Sequence, residues 1–172
     1  MRDGRETPIH RYAESARRGA AGEARVLAHL HDAHGWRCEP AGMAEQWRGV
    51  DLRATLPDGS TCRVEVKCDA RAQQTHRAFV ETVSNDVTGR PGWAHTCEAD
   101  WLLYFVPGPN DDVLYWLRPA DIRRALPTWE YAADAGGWGV RRVAARNEGY
   151  RTLGLAVALA ELERIAVRVE SL

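Results

Sequence analysis

The sequence predicts an α/β fold built on a mixed sheet flanked by helices. Three observations predict it: a helical apolar stripe near the N-terminus, a succession of strand-like runs between Trp36 and Leu117, and an apolar segment rich in Ala and Leu near the C-terminus. At 172 residues, with no internal repeat, low-complexity tract or evident linker, the chain reads as one domain with a core of its own.

The elements follow in order. From about residue 10 to 34 the pattern is helical: Ala20, Glu23, Ala24, Leu27 and Leu30 share a face, and Gly35 is placed to end the helix. "WRCE" (36–39) predicts a short strand. "GVDLRATL" (49–56) and "TCRVEVKC" (61–68) alternate on either side of "PDGS" and predict a hairpin. "HRAFVETVS" (76–84) predicts a further strand, and "NDVTGRPGW" (85–93) a loop. "DWLLYFVP" (100–107) is continuously apolar, as a central strand is, and "DVLYWL" (112–117) follows a Gly/Pro/Asn turn. Pro119 opens a short helix, "PADIRRAL". Residues 127–150 carry no clear period, and "GGWG" (136–139) reads as a loop. "TLGLAVALAELERI" (152–165) predicts a C-terminal helix. It is apolar on more than one face, so it is buried, either in the core or against a second subunit of a homodimer.

Composition narrows the function. A net charge of −1 carries no bulk basic signal for nucleic acid, although Arg11, Arg17 and Arg18 cluster early and Arg71, His76 and Arg77 follow the hairpin. An arginine cluster is as readily a solvated face as a phosphate-binding one. No apolar run reaches the roughly 18 residues of a membrane span. "MRDGRETPIHRYAESARRGA" lacks the apolar core of a signal peptide, so a cytoplasmic protein is expected. The four cysteines, at 38, 62, 68 and 97, form no C-x-x-C pair, and Cys62 and Cys68 read as buried thiols. No phosphate-binding G-x-x-x-x-G-K-[ST] loop is present.

One feature of the cations stands out. Of 23 lysines and arginines a single one, Lys67, is lysine. Heavy use of Ala, Arg and Gly fits a GC-rich coding sequence, and a drift toward Arg would have taken this position too. It would be spared if a compact ammonium is needed there, since Arg is a wide planar fork.

Lys67 lies in the hairpin. Strand alternation puts Arg63, Glu65 and Lys67 on one face and Cys62, Val64, Val66 and Cys68 on the other. A three-residue loop at Pro57-Asp58-Gly59 pairs Leu56 with Ser60 and sets Asp51 opposite Glu65, about 5 Å away on the same face. A two-residue Asp58-Gly59 loop would instead oppose Asp51 to Val66. Pro57 followed by Gly59 favours the first. Two adjacent carboxylates need a positive partner, either Lys67 or a divalent cation such as Mg²⁺ with its preference for oxygen ligands. Such an ion would lower the pKa of a bound water and offset charge on a phosphorane-like transition state, with Lys67 orienting that water. Glu23 lies within about 40° of Leu27 and Leu30 on the helix wheel. A Glu there either reaches the same cluster or sits at the rim and meets Arg17 or Arg18.

"GVD" at 49–51, "EVK" at 65–67 and the helical "GE" at 22–23 together resemble the active-site signature of the PD-(D/E)XK nuclease superfamily, which includes restriction endonucleases, phage-type nucleases and Holliday-junction resolvases. The resemblance runs over roughly residues 15–106. Val50 stands where the signature has its proline, and no helix is evident between "HRAFVETVS" and "DWLLYFVP" to complete the family's αβββαβ core. The resemblance implies a restriction-endonuclease-like fold, with a nuclease-like core over about 15–125 and a C-terminal extension over about 126–172. It implies that Asp51, Glu65 and the Val66 backbone carbonyl bind Mg²⁺ or Mn²⁺, that Lys67 assists the attacking water, and that Glu23 supports the metal. The implied reaction is hydrolysis of a phosphodiester in DNA, with RNA left open. "ETVSN…GW" and "AD" (99–100) resemble a segment of phage-type members, which would set Glu81 beside the site or on its rim. Arg17, Arg18, Arg71 and Arg77 are candidate nucleic-acid contacts. Two alternatives stay beside this reading: a resolvase specific for four-way junctions, and a non-catalytic nucleic-acid-binding domain in which Asp51, Glu65 and Lys67 only neutralise one another.

His31 and His34 could share a metal, but His29 and His31 are about 200° apart on a helix. The three cannot converge, and an exposed helix end is the simpler reading. Trp101 and Trp116 read as core; Trp47 and Trp93, in loops near the hairpin, would close the core or stack on bases.

Overall fold

The computed structural model describes residues 12–109, 111–137 and 139–172, with side chains from residue 19 onward. The chain runs α1 (Tyr12–His34), β1 (Arg37–Pro40), α2 (Met43–Gln46), β2 (Leu52–Thr55), β3 (Thr61–Cys68), α3 (Ala72–Thr75), β4 (Arg77–Asn85), β5 (Arg90–Pro91), α4 (Trp93–Thr96), β6 (Trp101–Val106), β7 (Val113–Leu117), α5 (Pro119–Asp134), β8 (Val140–Arg146), β9 (Arg151–Ala158), α6 (Leu159–Ile165) and β10 (Arg168–Ser171). The fold is α/β with a mixed sheet flanked by helices. Six strands lie in the order β1-β2-β3-β6-β7-β10, and a second sheet orders β5-β4-β9-β8. In the large sheet only β3 and β6 are parallel. Parallel neighbours need a crossover, and here it carries β4, the strand that starts the second sheet.

α1 ends as its sequence predicts. Gly35 takes the left-handed conformation (φ +66°), and the amides of Gly35 and Trp36 close onto the carbonyls of His31 and Leu30. The hairpin turn is the three-residue form. Gly59 is left-handed, the Leu56 amide donates to the Ser60 carbonyl at 2.8 Å, and Asp58 accepts from the Ser60 amide. The pairs Thr55↔Thr61 through Leu52↔Val64 follow; the regular ladder stops there, because the Asp51 amide also turns to the Val64 carbonyl and Asp51 does not pair directly with Glu65 as the hairpin register predicts.

Two apolar layers sandwich the large sheet. On one face Val64, Val66, Leu103, Phe105 and Trp116 pack against Val26 and Leu30 of α1. On the other, Leu102, Tyr104 and Val106 meet Val80, Leu155 and Val157 of the second sheet and Ile122, Leu126 and Trp129 of α5. Glu65 pairs with Leu102 and Lys67 with Tyr104, so both project into this second layer.

The C-terminal third departs from expectation. α5 is twice as long as predicted and runs through Pro127. Proline there forfeits one backbone bond, but Ile122, Leu126 and Trp129 are buried at helical spacing on both sides of it. The predicted C-terminal helix is corrected: residues 151–158 form β9, flanked by β4 and β8, and only Leu159–Ile165 is helical. A run apolar on every face suits a buried strand as well as a buried helix. Gly154 marks the strand, because a Cβ there would lie 2.5 Å from the Val80 carbonyl oxygen. The homodimer expected from that helix loses its basis. The segment read as an extension supplies strands to both sheets, β9 to the small one and β10 to an edge of the large one. No helix among the described residues is long and apolar enough to cross a membrane.

Candidate active site

Asp51 is fixed by backbone on both sides. Its amide donates to the Val64 carbonyl and its carbonyl accepts from the Ala41 amide. The preceding corner is tight: Gly49 is left-handed (φ +72°), and a Cβ there would press on the Cys97 backbone at 3.0 Å. Asp51 Oδ2 then accepts the Val66 amide at 2.8 Å. Along a strand the amide and carbonyl of one residue point to the same side, so the Val66 carbonyl also faces the margin occupied by Asp51.

Glu65 is 3% exposed. Its Oε1 is ion-paired with Lys67 Nζ, while its Oε2 is buried with no hydrogen-bond partner. Burial, and then the charge of Asp51, push the Glu65 carboxyl up to about 7 against the pull of Lys67. Burial pulls Lys67 the other way, but Glu65, Asp51 and Glu81 outweigh it and hold the ammonium above its ordinary value. About a third of the Lys67 side chain, 32%, stays exposed.

Two further carboxylates face this pair. Glu23, half-buried on α1, is raised by burial and by Asp51 and lowered by Lys67, which puts it in the field of both. Glu81, half-buried on β4, is raised by burial and lowered by Lys67, and its Oε1 lies 3.4 Å from the Trp93 amide. Gly92 allows that approach; a Cβ there would lie 2.4 Å from the Glu81 carbonyl oxygen. The fold thus gathers Glu23, Asp51, Glu65 and Glu81, from four separate segments, around one ammonium. The donors are hard oxygens with an unmatched buried member, Glu65 Oε2; in type they suit a hard divalent cation, although no three of these carboxylates bring oxygens within 4.8 Å of one another.

The other candidates divide. The side chains of Arg17 and Arg18 lie outside the described residues. Arg71 is exposed. Arg77 belongs to the scaffold: it is half-buried and donates to the carbonyls of Gly139 and Ala156. Trp93 packs at the edge of the core, whereas Trp47 is 75% exposed on the corner before Asp51, which removes the first of its two readings, closing the core. The histidines also resolve differently: His31 turns to Asp32, while His29 and His34 converge on Glu170.

Sequence reasoning missed Asp69. It caps α3 through the amides of Arg71 and Ala72 and accepts the buried Tyr104 hydroxyl, which in turn accepts the Phe79 amide. This link ties the end of β3 to β4 and so sets Lys67 against Glu81. The side-chain-to-amide spacing from Asp69 to Ala72 was its one sequence signal. Comparison with protein-family models, characterised proteins and solved structures finds no match to this chain.

Proposed function

We propose that the chain is a metal-dependent nuclease that hydrolyses phosphodiester bonds in DNA and belongs with the PD-(D/E)XK enzymes. The observation that carries the reading is the buried, unpartnered Oε2 of Glu65 within a ring of carboxylates that holds one lysine. An unmade buried hydrogen bond costs roughly 1–3 kcal/mol, so this oxygen is suited to a partner that the chain itself does not supply. The order of elements also supports it: a helix, three strands paired in sequence, then β6 parallel to the third. In the place of the family's crossover helix stand the four-residue α3 and α4 with β4 and β5 between them.

In this reading Asp51, Glu65 and the Val66 carbonyl hold Mg²⁺, with Mn²⁺ as a substitute, and Glu23 supports them. When bound, the cation supplies positive charge that offsets the charge growing on the phosphate. Lys67 remains an ammonium, so it donates hydrogen bonds and takes no proton. It orients the attacking water or a phosphate oxygen, a preorganised charge in a sheltered site. Glu81 helps to keep Lys67 protonated and aimed.

The test is a cleavage assay with Mg²⁺ or Mn²⁺ on plasmid, linear duplex, single-stranded DNA, a four-way junction and RNA, with an EDTA control. Metal-dependent cutting by the wild type, lost in a folded Lys67→Ala variant, is expected. Preference for the junction would make the protein a resolvase. Binding without cutting on every substrate would overturn the reading in favour of a non-catalytic domain, the role the formed Glu65–Lys67 pair would otherwise suit.

A further inference from the structure

A second polar cluster lies on the opposite face of the large sheet, where the last turns of α1 meet the edge strand β10. His29 Nε2 and His34 Nε2 lie 2.9 and 3.1 Å from one oxygen, Oε2, of Glu170. Trp116 Nε1 donates to that same oxygen at 2.9 Å. Arg168 Nε is 3.1 Å from the other, Oε1. The three side chains are sheltered but reachable, at 17, 18 and 19% exposure for His29, His34 and Glu170. The His34 ring stands edge-on to Trp116 and to His29, which fixes its orientation.

We propose that His29, His34 and Glu170 form a binding site for a transition-metal dication of the zinc class, which pins the C-terminal strand to the first helix. Three arguments carry it. The first is donor count. A carboxylate oxygen offers about two lone-pair sites, and here three nitrogens converge on one. A single cation in place of the two imidazole protons relieves the crowding, because both neutral Nε2 lone pairs and Oε2 then face an acceptor. Trp116 and Arg168 remain as the outer hydrogen bonds that orient a ligating carboxylate.

The second is distance. Zinc bonds of about 2.0–2.1 Å in a tetrahedron put neighbouring ligand atoms about 3.3 Å apart. The two observed nitrogen–oxygen separations need to open by only a few tenths of an ångström, and all three donor atoms lie within 4.8 Å of one another. The third is chemistry. Two imidazoles and one carboxylate suit zinc and its neighbours, whereas the all-oxygen ring around Lys67 suits magnesium. Three protein ligands leave a position for solvent. The ligands come from the two ends of the chain, so only the folded arrangement binds, and the metal stabilises it by mass action. None of this depends on the nuclease reading.

The experiment uses the full chain, stripped with chelator and titrated calorimetrically with Zn²⁺ alone and with Mg²⁺ alone. Thermal melting and Co²⁺ absorption are followed in parallel. One equivalent of Zn²⁺, a higher melting temperature, and a Co²⁺ spectrum without a thiolate charge-transfer band are expected. His34→Gln and Glu170→Gln should each weaken Zn²⁺ binding at least tenfold, and Asp51→Asn should leave it unchanged. Absence of stoichiometric Zn²⁺ binding by the wild type overturns the proposal, as does binding that both Gln variants retain. Should a variant fail to fold, imidazole nitrogen NMR of the wild type decides: Zn²⁺ must move Nε2 of His29 and His34, and a response confined to His31, His76 or His95 overturns the site.

Discussion

The two polar clusters on opposite faces of the large sheet are unbalanced in opposite directions. Around Lys67 acceptors exceed donors: four carboxyl groups share one ammonium and Glu65 Oε2 has no partner. Around Glu170 donors exceed acceptors, with three nitrogens on one oxygen. A buried polar network that does not balance is costly. The sign of the imbalance names the missing partner, which is a hard cation in the first cluster and an ion that takes imidazole lone pairs in the second. The two also respond oppositely to pH, which makes the comparison measurable.

The largest expected effect is on catalysis. Lys67→Ala should lower cleavage by about 10²–10³-fold or more, and Asp51→Asn should do the same. Neither should unfold the chain near pH 7, because Glu65 without its ammonium takes up a proton instead of staying a bare buried charge. Lys67→Arg should also fail, since the planar fork cannot replace a compact charge between Glu65 and Glu81. Circular dichroism beside the cleavage assay checks all three. Full activity in Lys67→Ala would remove the distinction between the clusters, leaving two structural clasps.

Next in size is an effect on stability. Glu65 binds its proton more tightly folded than unfolded, so its contribution is full below the ordinary carboxylate value of 4.5 and is lost as pH rises to about 7. That span corresponds to about 3 kcal/mol. In chelator, urea midpoints of the wild type should fall between pH 4.5 and 8, and those of Glu65→Gln should not. At pH 8 the Gln variant should be the more stable of the two, and Mg²⁺ should restore only the wild type. If Glu65→Gln is instead the weaker protein at pH 8, the Glu65–Lys67 pair is a structural salt bridge whose breaking leaves a buried charge.

The comparison also separates what the sequence reveals from what it hides. The Lys67 cluster was legible because its geometry is local. Pro57 and Gly59 dictate the turn, the turn sets the register as far as Leu52↔Val64, and Asp51 follows at the end of that strand, where its carboxylate meets the Val66 amide beside Glu65. Glu23 could be suspected because a carboxylate on an apolar stripe is anomalous within its own helix. The His29–His34–Glu170 cluster offered no such cue. Its carboxylate lies 136 residues from His34, on a short strand beyond the predicted C-terminal helix, where the sequence suggested no element. The second sheet was hidden for the same reason. β9 is covered on both faces, and full burial erases the alternation that identifies a strand. Trp47 misled in the other direction: a large ring predicts burial by its apolar area, and nothing in "EQWRGV" says that its corner faces solvent.

The smallest effect has the opposite sign. Burial pushes the Glu170 carboxyl up, but hydrogen bonds from His29, Trp116 and His34 outweigh it and hold the group below its ordinary value. The folded state therefore binds fewer protons than the unfolded one. Glu170 contributes stability above the ordinary value of 4.5 and loses it as pH falls through the lowered one. Without metal, Glu170→Gln should cost about 1 kcal/mol near pH 7, the net scale of an intramolecular hydrogen bond. That deficit should vanish in acid, where Glu65 contributes most. Arg168 on β10 and the two histidines of α1 face the same carboxyl, so the comparison is best made at fixed ionic strength in the wild type and in Glu170→Gln side by side. A deficit that persists unchanged into acid would mean that Glu170 acts through packing and not through its charge. The opposition between the two clusters would then rest on Glu65 alone.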